Sequence, residues 1–346
     1  MKENKNYTVE DVAEEANVST ATVSRVFSGS AKVNTETTNR VIEAAKKLNY
    51  RPSRVARRLR VKNTESMVIG LIVTDLQNPF FSEIARGVED VAYRNENGVM
   101  VCNSDENTDK ESFYLDTLMD EQVAGLIMAP TSGNHDYIQQ LIDQNIPIIF
   151  VDRYIDALQV DTVTVDNVTG AYNAVKHLIK LGHRRIGIIG GIKGIYTTDE
   201  RFRGYAKALE ESGIEIDDQL VTYGNSKESG GAEGIRKLLA LDNPPTAVFS
   251  TNNLMTLGCF EEMYRRDVNV PEDLAIVGFD DMSWASALNP PLTAVRQPGY
   301  ELGSTAAELL LKRLKNPNRT VSNIELRSNL VIRESCGSPQ KDRQEQ

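Results

Sequence analysis

The chain has 346 residues, 40% hydrophobic, 25% charged and only 6% aromatic, which is enough for two or three ordinary domains with ample core. No apolar run approaches the roughly 20 residues that span a bilayer, and the polar start MKENKNYTVEDV lacks the apolar core of a secretory signal, so a cytoplasmic protein without membrane contact is expected. The net charge of −10 hides a division, because residues 1–62 hold 13 Lys and Arg against 7 Asp and Glu while the remainder holds 26 against 42; a basic head on an acidic body fits a polyanion-binding domain joined to something else.

In chain order, residues 8–16 place Val9, Val12, Ala13 and Ala16 on one helical stripe, with Thr8 as cap and Asp11 three residues on. Asn17-Val18-Ser19 makes a tight turn, and Thr20–Phe27 begins a second short helix capped by Ser19. A third helix is expected from Thr35 to Leu48, with Val41, Ala44, Ala45 and Leu48 inward. Two short helices joined by a tight turn form a helix-turn-helix, whose second helix enters the major groove. The pattern alone also fits a small helical bundle that binds no DNA. Next comes Tyr50–Lys62, with six Arg and Lys and no acid. Val55, Ala56 and Leu59 would share one face of a helix there, with Ser53 as its cap. So short a helix is marginal alone, so its folding needs a partner.

From Val68 onward, short apolar runs alternate with amphipathic stretches. Strands are expected at Val68–Val73, Val99–Cys102, Gly125–Met128, Pro147–Val151, Val163–Val165, Arg185–Ile189, Leu220–Tyr223, Ala247–Ser250 and Ala275–Gly278, with helices between most of them. Repeated alternation of this kind means parallel sheets covered by helices. There are too many units for one comfortable sheet, and a break near Asp156–Asp161 suggests two α/β lobes.

Ligands of such sheets bind outside the carboxyl ends of the strands, and the residues there are unusually polar: Thr74 to Phe81, Asp152-Arg153, Thr251-Asn252-Asn253, Phe279-Asp280-Asp281 and Arg296-Gln297, with Arg201 opening a later helix. Charged and amide groups flanked by Phe80, Phe81 and Trp284 suit a polyhydroxylated ligand. Each also has a plainer reading: Asn78-Pro79 as a turn, Asp280 as a cap, Arg201 as a surface charge. No nucleophile stands with a base. His135, His177 and His183 lack metal spacing, the scattered Cys102, Cys259 and Cys336 suit neither disulfides nor zinc, and Gly190-Gly191-Ile192-Lys193-Gly194 lacks a phosphate-loop ending. No catalytic residue, metal or cofactor is expected.

The words VEDVAEEANVSTATVSRVFSG and VNTETTNRVIEAAKKLNYRPS closely resemble the head of the lactose-repressor family of bacterial transcription regulators. Further on, NPFF, DR, ERxxGY, FDD and PPLT–Q stand in the order and spacing of the sugar-binding fold shared by periplasmic pentose receptors and that family, so the resemblance runs from about Thr8 to Arg333. It implies an α/β fold with an N-terminal helix-turn-helix domain (1–50), a hinge helix and linker (51–63), and a two-lobed periplasmic-binding-protein-like body of parallel sheets flanked by helices. Its first lobe would be 64–164 and 296–324, its second 165–295 and 325–336, and 337–346 a tail. On this resemblance Thr20, Ala21 and Arg25 read base edges, while Ser19, Thr22 and Ser24 contact phosphates or cap the helix. Thr8, Asn34, Tyr50, Arg54, Ala56 and Arg57 join the DNA contacts, and Leu59 wedges into the minor groove. Two departures are Ser53, where many members carry asparagine, and the Arg57-Arg58 pair.

The effector set is Asn78, Phe80, Phe81, Asp152, Arg153, Arg201, Asn252, Asp280, Trp284 and Gln297. The function implied is a repressor that binds pseudo-palindromic double-stranded DNA as a homodimer under control of a small effector, a sugar such as a pentose. The alternatives are a solute-binding sensor module without DNA activity, and a regulator answering to a nucleobase or a protein corepressor.

Overall fold

The computed structural model describes residues 7–28, 33–48, 50 and 68–337, in two units that divide at Glu65/Ser66. In the head, helices α1 (Val9–Glu15), α2 (Thr20–Ser28) and α3 (Thr35–Lys47) enclose a core of Val12, Ala13, Ala16, Val23, Val41, Ala44 and Ala45. Their starts are set by side chains that satisfy otherwise unpaired backbone N–H groups. Thr8 and Asp11 form a reciprocal capping box on α1, and Asn34 Oδ1 accepts from Thr37 N at 2.7 Å on α3. Asn17 turns the chain at φ 52°, in the left-handed region that Asn tolerates.

The body contains two six-stranded sheets. The first holds β1 (Val68–Val73), β2 (Gly98–Asn103), β3 (Leu126–Met128), β4 (Ile148–Val151), β5 (Asp161–Val165) and, from the far end of the chain, β11 (Asn323–Leu326), in the order β11-β5-β4-β3-β1-β2 and parallel throughout. The second holds β6 (Ile186–Gly190), β7 (Val221–Tyr223), β8 (Ala247–Ser250), β9 (Ala275–Phe279), β10 (Thr293–Arg296) and β12 (Asn329–Val331), ordered β12-β10-β9-β8-β6-β7. Here only β12 runs antiparallel, against β10. The two orders are the same when read in chain sequence, so each lobe is a copy of one βα plan. The central strands are buried along their whole length, as their unbroken apolar runs require of a parallel sheet with helices on both faces.

The helices are α4 (Pro79–Arg94), α5 (Thr108–Asp120), α6 (His135–Asp143), α7 (Asn167–Lys180), α8 (Tyr196–Glu210), α9 (Glu228–Leu239), α10 (Asn253–Arg265) and α11 (Gly299–Lys315). Among the described residues no helix is long and apolar enough to cross a membrane. Helix α11 returns to the first lobe and lies against α4 so closely that a Cβ on Gly87 would stand 2.2 Å from Tyr300 O, and one on Gly303 2.0 Å from Ile84 O. Only glycine permits that backbone approach.

Some expectations are corrected here. The break at 156–161 falls between β4 and β5, inside the first sheet. Because β5 runs to Val165, β10 to Arg296 and β11 to Leu326, the crossings lie one or two residues later than 164/165, 295/296 and 324/325. Strands β10, β11 and β12 were not expected at all; they have only three or four residues each.

The chain's return is pinned by Asp161, whose side chain is fully buried. Its carboxylate meets Arg313 Nη2 at 2.8 Å and Arg319 Nη1 at 3.1 Å, and accepts from Ser322 N at 2.8 Å just before β11. Removing one partner of a buried charge cluster costs about 3–5 kcal/mol because the others are left uncompensated. Asp161→Ala is therefore expected to lower the urea-unfolding free energy of the body by that amount; a loss within the error of the extrapolation would mean that the cluster is not what holds the return.

Candidate functional site

Two surfaces concern function, one in each unit. In the head, α2 leaves Thr20, Ala21 and Arg25 exposed and Thr22 and Ser24 half-buried. Ala21 and Arg25 share a face by their i, i+4 spacing. Ser19 Oγ accepts from Thr22 N at 3.2 Å and lies 2.9 Å from Thr22 Oγ1, so both hydroxyls sit at the helix start, where backbone donors and the helix dipole favour anions. Thr8 and Asn34 occupy the corresponding positions on α1 and α3. Tyr50 packs its ring 6.3 Å from that of Phe27. Arg54, Ala56, Arg57 and Leu59 lie outside the described residues.

In the body, the carboxyl ends of the strands of both lobes face one cleft, narrow in this arrangement of the lobes, with about 80 Å³ of free interior volume. Asn78, Phe80, Phe81, Asp152, Arg153, Arg201, Asn252, Asp280 and Gln297 all line it. Trp284 does not. The chain leaves Asp280 through a short turn in which Ala285 N donates to Met282 O and Ala287 N to Trp284 O, and this places the indole against the apolar cores of the two lobes.

Asp152 and Asp280 hold equivalent places, each immediately after the strand third from the β11 or β12 edge of its sheet. Both have left-handed backbones, φ 70° and 76°, a conformation that costs a non-glycine residue on the order of 1–3 kcal/mol and clusters at ligand sites. Each is tied to the next strand, with Asp152 N donating to Val163 O at 2.9 Å and Asp280 N to Val295 O at 2.8 Å. The arginines are held differently. Arg153 Nη1 donates to both oxygens of Glu106 (2.8 and 3.0 Å) and Nε to Asp152 at 3.1 Å. Arg201 Nε donates to Asn167 Oδ1 at 2.8 Å and Nη1 to Thr251 O at 2.6 Å, while its guanidinium lies 3.8 Å from the centre of the Phe279 ring.

Burial pulls the Arg201 guanidinium below its ordinary range. Burial opposes the charge on Arg153 too, but the carboxylates of Glu106 and Asp152 outweigh it and hold that group above the usual value. The Asp280 carboxyl is pushed up by burial, against the pull of Arg201 and the hydrogen bond from Gln297. Among the described residues Gln297 Oε1 is buried without a hydrogen-bond partner, so this corner of the cleft presents an unused acceptor. Direct contacts also join the lobes around the cleft. Lys227 pairs with Asp75, Asn253 Nδ2 donates to Asn78 Oδ1 at 2.7 Å, and the rings of Tyr154 and Tyr196 stand 4.6 Å apart.

Several lining residues were missed in the sequence: Asp105, Glu106, Thr198, Asn225, Ser226 and Lys227. The strand-end rule could have found Asp105 and Glu106, because β2 runs to Asn103 and they stand at its mouth. Lys227 is the residue just before α9, which begins at Glu228.

Two lobes that share a charged cleft, in a chain headed by a helix-turn-helix, define a ligand-responsive DNA-binding regulator. Residues 8–53 match the family described as "Bacterial regulatory proteins, lacI family", and 175–336 match "Periplasmic binding protein-like domain". The chain is 37% identical over 332 residues to the ribose operon repressor of Haemophilus influenzae, covering 96% of this chain and 99% of that one. Its fold matches the lac repressor dimer bound to operator and the anti-inducer ONPF with a TM-score of 0.82 at 28% identity, covering 96% and 99%. It also matches a lacI-family regulator from Enterococcus faecium with bound ribose, at 0.71 and 31%, covering 78% and 98%. Relatives of similar identity include repressors of other names, PurR and CytR among them. The chain belongs to the lacI family of bacterial transcriptional regulators: it is a DNA-binding repressor controlled by an effector, and not an enzyme.

The raised Asp280 carboxyl gives a pH test. Its folded pKa lies above the unfolded one, so the folded state keeps the proton longer and stability is lost as pH rises from the ordinary carboxylate range through the raised value. Asp280→Asn removes this loss. A pH series of thermal unfolding is expected to show a shallower decline over that interval for the variant; parallel curves would mean that Asp280 is not strained by burial.

Proposed function

We propose that the effector is a pentose, or a sugar of similar size, held between the lobes, and that its occupancy sets the affinity of a homodimer for a pseudo-palindromic operator in the cytoplasm. The observation that carries this reading is the pairing of Asp152 and Arg153 from one lobe with Asp280 and Arg201 from the other, all more than 90% buried. Carboxylates accept from hydroxyls and guanidinium groups donate to them, so such a set suits a molecule with hydroxyls on several sides. Phe80 and Phe81, with ring centres 5.3 Å apart, offer the apolar face a sugar ring needs. Charged and amide groups outnumber stacking surfaces in the lining, which favours a sugar over a nucleobase. The ribose operon repressor and the ribose-bound regulator among the similar proteins support the same choice.

At the other end, Arg25 on the exposed face of α2 matches guanine O6 and N7 with its fork of donors, and Ala21 offers a methyl contact to thymine. Thr20 completes the base-reading set. Ser19, Thr22, Ser24, Thr8 and Asn34 suit phosphates. Two heads on half-sites about 34–36 Å apart make the operator symmetric. Tyr50, Arg54, Ala56, Arg57 and Leu59 make up the hinge contact, with Leu59 as the minor-groove wedge.

Calorimetry with D-ribose and a panel of sugars and nucleobases tests the ligand. A pentose is expected to bind the wild type, and Arg201→Ala or Asp280→Ala to abolish binding and the DNA response while operator affinity stays near wild type. Binding of a nucleobase with no sugar response rejects the reading. Arg25→Ala is expected to relax base preference at one position per half-site by about 1–3 kcal/mol; a uniform loss across sequences would make it a phosphate contact.

A further inference from the structure

We infer that Glu106 is a specificity-determining residue of the cleft: by occupying Arg153 it makes the site refuse anionic effectors, so that the ligand is uncharged. This rests on the reading of the cleft as the effector site and narrows its ligand class. A buried arginine that lines a polar cleft is an obvious receptor for a phosphate or carboxylate, because its planar fork matches two oxygens at once. Here two of its three guanidinium nitrogens are already taken by carboxylates, Nη1 by both oxygens of Glu106 and Nε by Asp152. The side chains of Arg153, Glu106 and Asp152 are only 8%, 19% and 4% exposed, so solvent screens this cluster weakly.

Glu106 is not there by the drift of a flexible side chain. It follows β2 in a turn where Asp105 and Glu106 both have positive φ, 53° and 57°, and the turn is fastened on each side. Asn103 Nδ2 and Lys110 Nζ reach Asp105 at 2.7 and 2.5 Å, and Asn107 caps α5 by accepting from Lys110 N at 2.8 Å. Two consecutive left-handed residues in a tied turn hold the carboxylate on Arg153.

Charge around the cleft points the same way. Asp75, Asp105, Glu106, Asp152 and Asp280 face it against Arg153, Arg201 and Lys227, and Lys227 is itself engaged by Asp75 at the lip. Even with Asp280 protonated the lining carries no positive excess. A sugar phosphate would meet Glu106 and Asp152 where it sought Arg153, and a like-charge encounter of this kind lowers affinity strongly.

The test is isothermal calorimetry on the full-length chain with D-ribose, D-ribose 5-phosphate and inorganic phosphate, for the wild type, Glu106→Gln and Glu106→Asp. The wild type is expected to prefer ribose over its 5-phosphate. Glu106→Gln keeps the shape and removes the charge, and is expected to move that ratio toward the phosphate by about tenfold or more. Glu106→Asp keeps the charge and is expected to stay on the wild-type side. Equal or tighter binding of the 5-phosphate by the wild type overturns the inference, as does an unchanged ratio in Glu106→Gln. Should Glu106→Gln not fold, the wild-type ratio and Glu106→Asp decide. If ribose binds none of the proteins, the pentose reading fails; the inference then stands if Glu106→Gln alone acquires phosphate binding, and falls if it does not.

Discussion

The cleft depends on the cost of stripping water from two guanidinium groups. Arg153 and Arg201 are both almost fully buried, and a buried charge survives only where it is paired and hydrogen-bonded. The protein solves this twice, in different ways. Arg153 is neutralised by full charges, Glu106 and Asp152. Arg201 is held by dipoles and an aromatic face: an amide oxygen, a backbone carbonyl and the Phe279 ring. One arginine therefore offers the cleft donors with little net charge, while the other keeps its positive charge and lies near Asp280. The site is polar throughout but electrostatically lopsided, and that lopsidedness comes from the different partners of the two arginines.

The repeated strand order explains why the chemistry is paired across the lobes. A parallel sheet delivers its loops to one edge, and the equivalent strand in each copy of the plan is followed directly by an aspartate. The strained backbones of Asp152 and Asp280 are sustained by bonds from their own amides to Val163 and Val295, neighbours that only the parallel register supplies. The two lobes differ at the residue beside each aspartate. Residue 153 is an arginine that enters the cleft, whereas residue 281 is an aspartate that turns away to Arg333 and Arg296. The second lobe draws its arginine from α8 instead.

Much of this was legible in the residues. The long buried strands and amphipathic helices declared themselves by period, and polar residues just past apolar runs pointed to Asn78, Asp152, Arg153, Asn252, Asp280 and Gln297, which line the cleft. What escaped did so for physical reasons. Strands β11 and β12 are short and half-exposed, so their apolar content is too thin to distinguish them from loop, and they are strands only because the chain returns from far away to pair. Trp284 looked like a stacking platform because aromatics beside sugar sites often are, but the turn after Asp280 directs it into the apolar contact between lobes. Glu106 could be placed at the mouth of β2 by the strand-end rule, but its hold on Arg153 could not be read, since that arginine stands 47 positions away.

The contacts that bridge the lobes bear on how a small ligand could shift a large equilibrium. The Lys227–Asp75 pair has its lysine side chain 38% exposed, so water and salt weaken it, and such pairs contribute at most about 1 kcal/mol. The Asn253–Asn78 bond is buried and stronger, yet Asn78 Oδ1 also serves Phe80 N at the start of α4, so one oxygen caps a helix in the first lobe and accepts from the second. The tyrosine pair adds apolar area on one flank. Moving an equilibrium from one side to the other requires several kcal/mol of preference for one arrangement, more than a pair such as Lys227–Asp75 contributes. That preference must come from groups that only a ligand can bridge. The unused Gln297 Oε1, the acceptors on Asp152 and Asp280 and the remaining donors on the two arginines lie on opposite lobes, so a molecule that satisfies them in one arrangement leaves them unmet in the other.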